Sequence, residues 1–147
     1  MAKRECKILI IDDSEDDRFF LKRGLKRKLP ECRVVATAHD GEMAIEYLSG
    51  SQPFNNRVAF PFPDLILLDL KMPRKDGLEV LRWLRNEKVT GLRVIVLSTS
   101  GLSNDIEQAK ALGADAYLQK QWVSDASASE IARFVEANDW AIGAPRP

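Results

Sequence analysis

The chain has 147 residues, with 22 lysine and arginine residues, 22 aspartate and glutamate residues, and a formal net charge of zero. This length indicates a single domain, because domains commonly have roughly 100–200 residues. The balanced charge excludes a protein that binds polyanions through bulk positive charge. No apolar run approaches the ~20 residues of a membrane span, and residues 1–7 lack the apolar stretch of a signal peptide, so we expect no membrane segment or leader. Cys6 and Cys32 have no CxxC spacing, which is typical of reduced thiols in a cytoplasmic protein.

The first half of the chain alternates strand and helix signals. Short apolar runs indicate strands that are buried on both faces, and apolar residues at i, i+4 and i+8 indicate a helix. The predicted elements are a strand at 7–11, a helix at 14–29, a strand at 33–38, a short helix at 42–48 and a long surface loop at 49–63. Gly24 lies inside the first helix, where it indicates either close packing or a weak point.

The second half continues the same alternation around a core that we place at about residues 7–138. The strongest strand signal covers 64–70, and Asp76 is a plausible N-cap for the next helix. The remaining predicted elements are a strand at 93–97, a helix that ends at Gly113, a strand at 116–118, a last helix begun by a capping box at Ser127–Glu130, and a frayed tail at 143–147.

Five strands that alternate with five helices predict a parallel sheet with helices on both faces. In such sheets, ligands bind beyond the carboxyl ends of the strands. The polar residues predicted at those ends are Asp12, Asp13, Asp69, Ser98 and Lys120.

Acidic residues dominate this set. Residues 12–17 contain five acids in six positions, more than a helix cap needs, although the helix dipole alone also favours acids there. Asp69 is predicted inside an otherwise apolar strand, where a carboxylate requires partners. Taken alone, Lys120 is a solvated lysine and Ser98 carries no information.

Together, these residues resemble the receiver domain of two-component response regulators. The matching pieces are the Asp12-Asp13 pair, Asp69 with the following Lys71-Met72-Pro73, Ser98 at the end of the fourth strand, and Lys120 after the fifth. The resemblance covers almost the whole chain. It implies a single-domain, stand-alone response regulator with a flavodoxin-like fold and strand order 2-1-3-4-5.

The resemblance also implies roles for individual residues. Asp69 would accept a phosphoryl group, Lys120 and Ser98 would contact the phosphoryl oxygens, and Ser98 with Tyr117 would form the conformational switch. Such a protein catalyses only its own phosphotransfer and dephosphorylation and is otherwise not an enzyme. The implied Mg²⁺ site consists of Asp12 acting through water, Asp13, Asp69 and the backbone carbonyl of Lys71.

Two departures from the family pattern stand out. Gln121 replaces the proline that usually follows the lysine, so we expect a trans peptide bond between Lys120 and Gln121. This replacement leaves open an alternative, a receiver-like interaction module without phosphotransfer. The long loop at 49–63 and the tryptophan-containing C-terminus resemble the receivers that serve phytochrome-type kinases.

The implied partner is a histidine kinase or a histidine phosphotransfer protein, with Arg18 and Lys22 as candidate docking residues. A homodimer through the last helix, which Trp122 and Trp140 flank, is a further possibility. The basic run at 18–28 is interpreted as a solvated helix face, and we expect no nucleic-acid or membrane partner. A Mg²⁺-dependent hydrolase would need an acid two residues after Asp69, where this chain has lysine. There is no GxxxxGK[ST] or GxGxxG motif, and the lone His39 lies in a predicted turn.

Overall fold

A computed structural model describes residues 6–99, 101–120 and 125–138 of the chain. Within them, strands and helices alternate as predicted. The elements are β1 (Cys6–Ile11), α1 (Glu15–Lys28), β2 (Cys32–Ala38), α2 (Gly41–Ser49), β3 (Leu65–Leu68), α3 (Gly77–Asn86), β4 (Arg93–Ser98), α4 (Ser103–Ala111), β5 (Ala116–Gln119) and α5 (Ala126–Ala137). None of these helices is long and apolar enough to cross a membrane.

The strands form one parallel sheet in the order β2-β1-β3-β4-β5, which confirms the predicted flavodoxin-like topology. Alternate strand residues face opposite sides of the sheet. Ile8 and Ile10 belong to the cluster with residues of α1 and α5, whereas Leu9 and Ile11 belong to the cluster with α2, α3 and α4. The continuous apolar strands are therefore explained by burial on both faces.

Gly24 lies where α1 packs closely against α5. A Cβ atom at this position would lie 2.8 Å from the Cβ of Ala128, so only glycine fits here without a shift. The close-packing interpretation of Gly24 is therefore correct. The contact places the C-terminal half of α1 against the first turn of α5.

The predicted helix starts are mostly correct. Asp76 caps α3 by accepting a hydrogen bond from the Glu79 amide at 3.0 Å. The capping box predicted at Ser127–Glu130 is wrong, because α5 begins at Ala126 and Ser127 already lies in its first turn. Asp125, the residue before the helix, forms an ion pair with Arg27 at 2.9 Å. This ion pair with α1 holds the start of α5 in place. The local sequence pattern could not predict it, because Arg27 and Asp125 are far apart in the sequence.

The prediction for β3 is too long. The strand ends at Leu68, and Asp69 lies just beyond it rather than inside it. Its amide still donates to the Ile11 carbonyl at 2.9 Å, so the backbone of Asp69 continues the direction of the sheet. Asp69 is consequently held at the same edge as the residues that follow β1.

No helix or strand lies between α2 and β3, but the segment is packed against α2. Arg57 donates to the Tyr47 and Leu48 carbonyls, both at 2.9 Å, and so satisfies the C-terminal end of that helix. Tyr47, Phe54 and Phe60 form mutual ring contacts. Phe54, Phe60 and Phe62 therefore extend the core, whereas Val58 faces solvent.

Several predictions fall outside the described residues. These are the geometry of the bond between Lys120 and Gln121, the surroundings of Trp122 and Trp140, and the tail at 143–147.

Candidate functional site

Three carboxylates meet at the carboxyl edge of the sheet. Asp12 and Asp13 follow β1, Asp69 follows β3, and one oxygen of each lies within 4.8 Å of the others. Asp12 and Asp69 are only 4% and 6% exposed, whereas Asp13 is exposed. Because β1 and β3 are neighbours in register, residues that directly follow them must be close. The sheet therefore brings three carboxylates close together in spite of their mutual electrostatic repulsion.

Lys120 supplies the opposite charge. Its Nζ lies 2.7 Å from an oxygen of Asp12, 2.8 Å from Asp17 and 3.1 Å from Asp69. Only 8% of the side chain is exposed, so a charged ammonium is enclosed among three carboxylates. Its backbone amide donates to the Ser98 carbonyl at 2.8 Å, which anchors the lysine to the end of β4.

The surroundings shift the pKa values of Asp12 and Lys120. Burial raises the pKa of Asp12 and outweighs the hydrogen bonds from Lys120 and the Ser14 amide, which act to lower it. Burial alone would lower the pKa of Lys120. Its hydrogen bonds to Asp12 and Asp17 and the charge of Asp69 outweigh burial and hold that pKa above its usual value. Lys120 therefore remains protonated in the neutral pH range.

Backbone groups orient the two buried acids. One oxygen of Asp12 accepts from the Ser14 amide at 2.9 Å, and one oxygen of Asp69 accepts from the Lys71 amide at 3.2 Å. In both acids the second oxygen is the one that contacts Lys120. The carboxylates are thus fixed in direction, with one oxygen of each turned towards the shared cation.

Two residues near the cluster have contacts that the sequence did not indicate. Asp17 contacts Lys120, although its position in the first turn of α1 alone suggested only a favourable helix-dipole interaction. Arg18, a candidate docking residue, donates to the Asp12 carbonyl at 2.7 Å and so supports the site from within the chain. The dense run of acids at 12–17 was the only signal for Asp17.

The two predicted switch residues lie on neighbouring strands. Ser98 ends β4, is fully buried and is in register with Gln119. Tyr117 is half-buried, is in register with Val96 and packs against the cluster that contains α4. Ser98 therefore lies beside Lys120 at the carboxyl end of the strands. Tyr117 lies further back, within β5, which is the outermost strand of the sheet.

The Lys71 side chain points to α4 and not to the acids. Its Nζ lies 3.5 Å from an oxygen of Asp105, which is buried in the first turn of α4. The Lys71 backbone, in contrast, contacts Asp69 through its amide, which donates to an oxygen of that carboxylate at 3.2 Å. A link between this loop and α4 was not expected from the sequence.

The donor set suits a hard divalent cation. Asp12, Asp13 and Asp69 offer carboxylate oxygens, the ligands that Mg²⁺ and Mn²⁺ prefer, and the exposed Asp13 leaves one side open to water. Three acids against one lysine leave the cluster net negative, so an incoming anionic group would need the added charge of a divalent cation.

Comparison with known proteins identifies relatives of the whole fold. The response regulator receiver domain family matches residues 8–132. The nitrate/nitrite response regulator protein NarL of Escherichia coli K12 is 39% identical over 116 residues, which cover 77% of this chain and 47% of NarL. The response regulator Rcp1 of Synechocystis is 33% identical over 114 residues, 77% of this chain and 75% of that protein. This chain thus spans about half the length of NarL and three quarters of Rcp1.

Solved structures agree with this result. The phosphorylated cyanobacterial phytochrome response regulator RcpA superposes with a TM-score of 0.78 at 29% identity and covers 95% of this chain and 99% of its own. Response regulator RPA3017, described in red light signalling of R. palustris, gives a TM-score of 0.76 at 33% identity, with 89% and 92% of the two chains covered. The Mn²⁺-bound form of Rcp1 gives a TM-score of 0.77 at 29% identity, covering 97% and 99%.

Proposed function

Because this chain belongs to the response regulator receiver domain family, we propose that it is a phosphoryl-accepting switch with Asp69 as the acceptor. The observation that carries the proposal is the position of the Lys120 ammonium group, which two of the carboxylates share. Lys120 Nζ contacts both Asp69 and Asp12, at 3.1 and 2.7 Å, in a buried cluster. The buried Lys120 ammonium group lies beside an oriented Asp69 carboxylate. It can therefore bind an oxygen of a phosphoryl group attached to Asp69.

The phosphoryl donor is a phosphohistidine on a histidine kinase or a histidine phosphotransfer protein. An oxygen of Asp69 forms the new bond to phosphorus while the P–N bond breaks, and the electron pair of that bond leaves with the imidazole. Such a transfer needs mainly positioning and charge neutralisation from the protein. The amide of Lys71 holds Asp69 in place during the transfer, because it binds one of the two carboxylate oxygens.

Lys120 and Ser98 act on the phosphoryl oxygens. Lys120 is a compact charge with three donors, so it can keep a contact with Asp12 while it binds a phosphoryl oxygen. Ser98 lies directly beside it, since its carbonyl accepts from the Lys120 amide. We assign the Ser98 hydroxyl to a second phosphoryl oxygen. The same residues would assist the later hydrolysis of the acyl phosphate, the only other reaction that we assign to the chain.

Asp12, Asp13 and Asp69, with the backbone carbonyl of Lys71, would hold a divalent cation, and Mg²⁺ is our proposal for it. When bound, it neutralises the carboxylates and the phosphoryl oxygens. In its absence, Lys120 is the main counter-charge of the cluster. Arg18 supports the same site by donating to the Asp12 carbonyl, which holds the start of α1 against the end of β1.

The output is a shift between two packings of the sheet edge. Ser98 moves towards the phosphoryl group, and Tyr117, which is half-buried against the cluster with α4, turns further inward behind it. The surface formed by α4, β5 and α5 then differs between the two states and selects a protein partner. A phytochrome-type kinase is the proposed input, and self-association through α5 is one form that the output can take.

The first experiment is binding of beryllofluoride, a stable mimic of the acyl phosphate, in the presence of Mg²⁺, followed by amide NMR. We expect saturable binding by the wild-type chain, with shifts at Ser98 and Tyr117, and no binding by Asp69→Asn. Asp115→Asn is the matched control. It removes a carboxylate at the opposite edge of the sheet but keeps an oxygen that can accept from Val94, so binding should persist.

A second measurement tests the covalent step. Incubation with phosphoramidate, a small P–N donor, and Mg²⁺ should add one phosphoryl group to the wild-type chain and none to Asp69→Asn. Absence of both beryllofluoride binding and labelling in a folded wild-type chain would overturn the proposal. The chain would then be the interaction module without phosphotransfer, and the replacement of the usual proline by Gln121 would be the first cause to examine.

A further inference from the structure

The two cysteines of the chain lie side by side at the amino edge of the sheet. Cys6 begins β1 and Cys32 begins β2, and the two residues are direct partners in the parallel ladder. Neighbouring strands lie about 4.7–4.9 Å apart, which falls within the ~4.4–6.8 Å range of Cα separations in disulfides. Both side chains face the cluster that contains α1 and α5. The backbone therefore already has a spacing that a disulfide can bridge.

The thiols also contact each other. Their side chains are hydrogen-bonded, and both cysteines are in the reduced form. Cys6 is buried, whereas Cys32 is half-exposed. Cys32 is therefore the thiol that a dissolved oxidant reaches first, and Cys6 is positioned behind it to complete the bridge.

From this geometry we propose that Cys6 and Cys32 form a redox-active dithiol that closes to an intramolecular disulfide and staples β1 to β2. The oxidant is a small-molecule disulfide. The sulfur of Cys32 attacks one of its sulfurs, forms a mixed disulfide and releases the first thiolate, which takes up the Cys32 proton. The sulfur of Cys6 then attacks the Cys32 sulfur and releases the second thiolate, which takes up the Cys6 proton. The protein loses two electrons and two protons, and the oxidant becomes two thiols.

The surroundings make this reaction slow at neutral pH. The hydrogen bond with Cys6, together with burial, raises the pKa of the Cys32 thiol, so the attacking thiolate is scarce. We therefore expect closure to accelerate as the pH rises. The equilibrium position is set by the relative free energies of the dithiol and the disulfide and not by this rate.

The staple would act on one unit of the fold. The closed loop runs from Cys6 to Cys32 and contains all of α1. Asp12 lies six residues from Cys6, about 20 Å along a strand at ~3.3 Å per residue. Oxidation should therefore stabilise the β1–α1–β2 unit without disturbing the acid cluster. The inference does not depend on phosphoryl acceptance by Asp69.

The test is equilibration of the full chain in mixtures of reduced and oxidised glutathione, followed by acid quenching, alkylation and peptide mass spectrometry. We expect a linked Cys6–Cys32 peptide with a mass lower by two hydrogen atoms, and a urea midpoint that shifts upward on oxidation. Phosphoramidate labelling should be the same in both redox states. A stable glutathione adduct on Cys32, a disulfide-linked dimer, or two thiols that stay reduced in the most oxidising mixture would each overturn the proposal.

Single variants test the order of events. Cys6→Ser removes the buried thiol, so the Cys32 adduct should now accumulate because nothing resolves it. Cys32→Ser removes the entry thiol, and Cys6 should stay unmodified as long as the chain is folded. Rapid modification of Cys6 in folded Cys32→Ser would overturn the assignment of Cys32 as the entry thiol. The wild-type measurement requires neither variant, so loss of folding in one of them does not affect it.

Discussion

The two edges of the sheet use aspartate in opposite ways. At the amino edge, Asp64 precedes β3 and Asp115 precedes β5, and each accepts a hydrogen bond from a backbone amide of the neighbouring strand. The Lys7 amide donates to Asp64 at 2.9 Å, and the Val94 amide donates to Asp115 at 2.8 Å. These carboxylates complete the hydrogen bonding of strand ends, so their role is structural.

At the carboxyl edge, one oxygen of Asp12 and one of Asp69 each accept a hydrogen bond from an amide of their own loop. The other oxygen of each carboxylate contacts Lys120. Their charges lie close together, with Asp13 beside them. The carboxylate side chains at this edge are therefore held together by the Lys120 ammonium group and not by strand amides. The comparison teaches that the partner of a strand-end aspartate, and not its position beside a strand, separates a structural acid from one of the candidate functional site.

The largest effect should come from removing the positive charge of Lys120. We expect Lys120→Met to lower the free energy of unfolding by about 3 kcal/mol in chelating buffer, because it leaves buried carboxylates without their counter-charge. A divalent cation at 100 times its Kd should restore ~2.7 kcal/mol by mass action. Urea unfolding with and without Mg²⁺ measures both quantities.

Lys110→Met is the control for that variant, since Lys110 is exposed on α4. Its stability should match the wild type in both buffers. Equal destabilisation of the two variants, or no rescue of Lys120→Met by metal, would contradict the view that positive charge holds the carboxylates of this edge together.

An intermediate effect should appear at the amino edge. Asp115→Ala leaves the Val94 amide without its side-chain acceptor and should cost about 1–3 kcal/mol of unfolding free energy. Beryllofluoride affinity, measured by amide NMR titration, should be unchanged. Asp12→Asn is the matched change at the carboxyl edge and should weaken beryllofluoride and metal binding instead. If Asp115→Ala also weakened binding, the two edges would not be separable.

The smallest effect should come from the ion pair between the exposed Lys71 and the buried Asp105, which joins the Asp69 loop to α4. Lys71 is mostly exposed and its Nζ lies 3.5 Å from Asp105, so Lys71→Met should cost less than ~1 kcal/mol. The loss should disappear in 1 M salt, where the screening length is about 3 Å. Chemical unfolding at low and high salt measures it, and a larger loss that persists at high salt would show that Lys71 holds α4 by packing rather than by charge.

Local sequence pattern was sufficient for much of the fold. The apolar runs predicted all five strands, and the resemblance to the receiver family implied the strand order. Asp76 was recognised as a helix cap because capping depends on residues three positions apart. The start of α5 was missed for the opposite reason, since Asp125 is engaged by Arg27, a residue far away in the sequence.

The acids of the site were predictable as a set, and their pairing was not. The order of elements alone brings Asp12, Asp13 and Asp69 to one edge, because parallel strands end on the same side. The choice of partner depends on the reach and direction of side chains from separate elements. Lys120 contacts Asp17 across the gap between β5 and α1, and the Lys71 side chain turns to Asp105.

The sequence by itself therefore determined the alternation of elements, the buried strands and the identity of the residues at the carboxyl edge, because these depend on hydrophobic period and on residue order. Only the tertiary structure decided which charges neutralise each other, where α5 begins, and that Cys6 and Cys32 are opposed. The physical reason is range. Propensity and periodicity act over a few neighbouring residues, whereas ion pairs and strand register join residues that only the folded chain brings together.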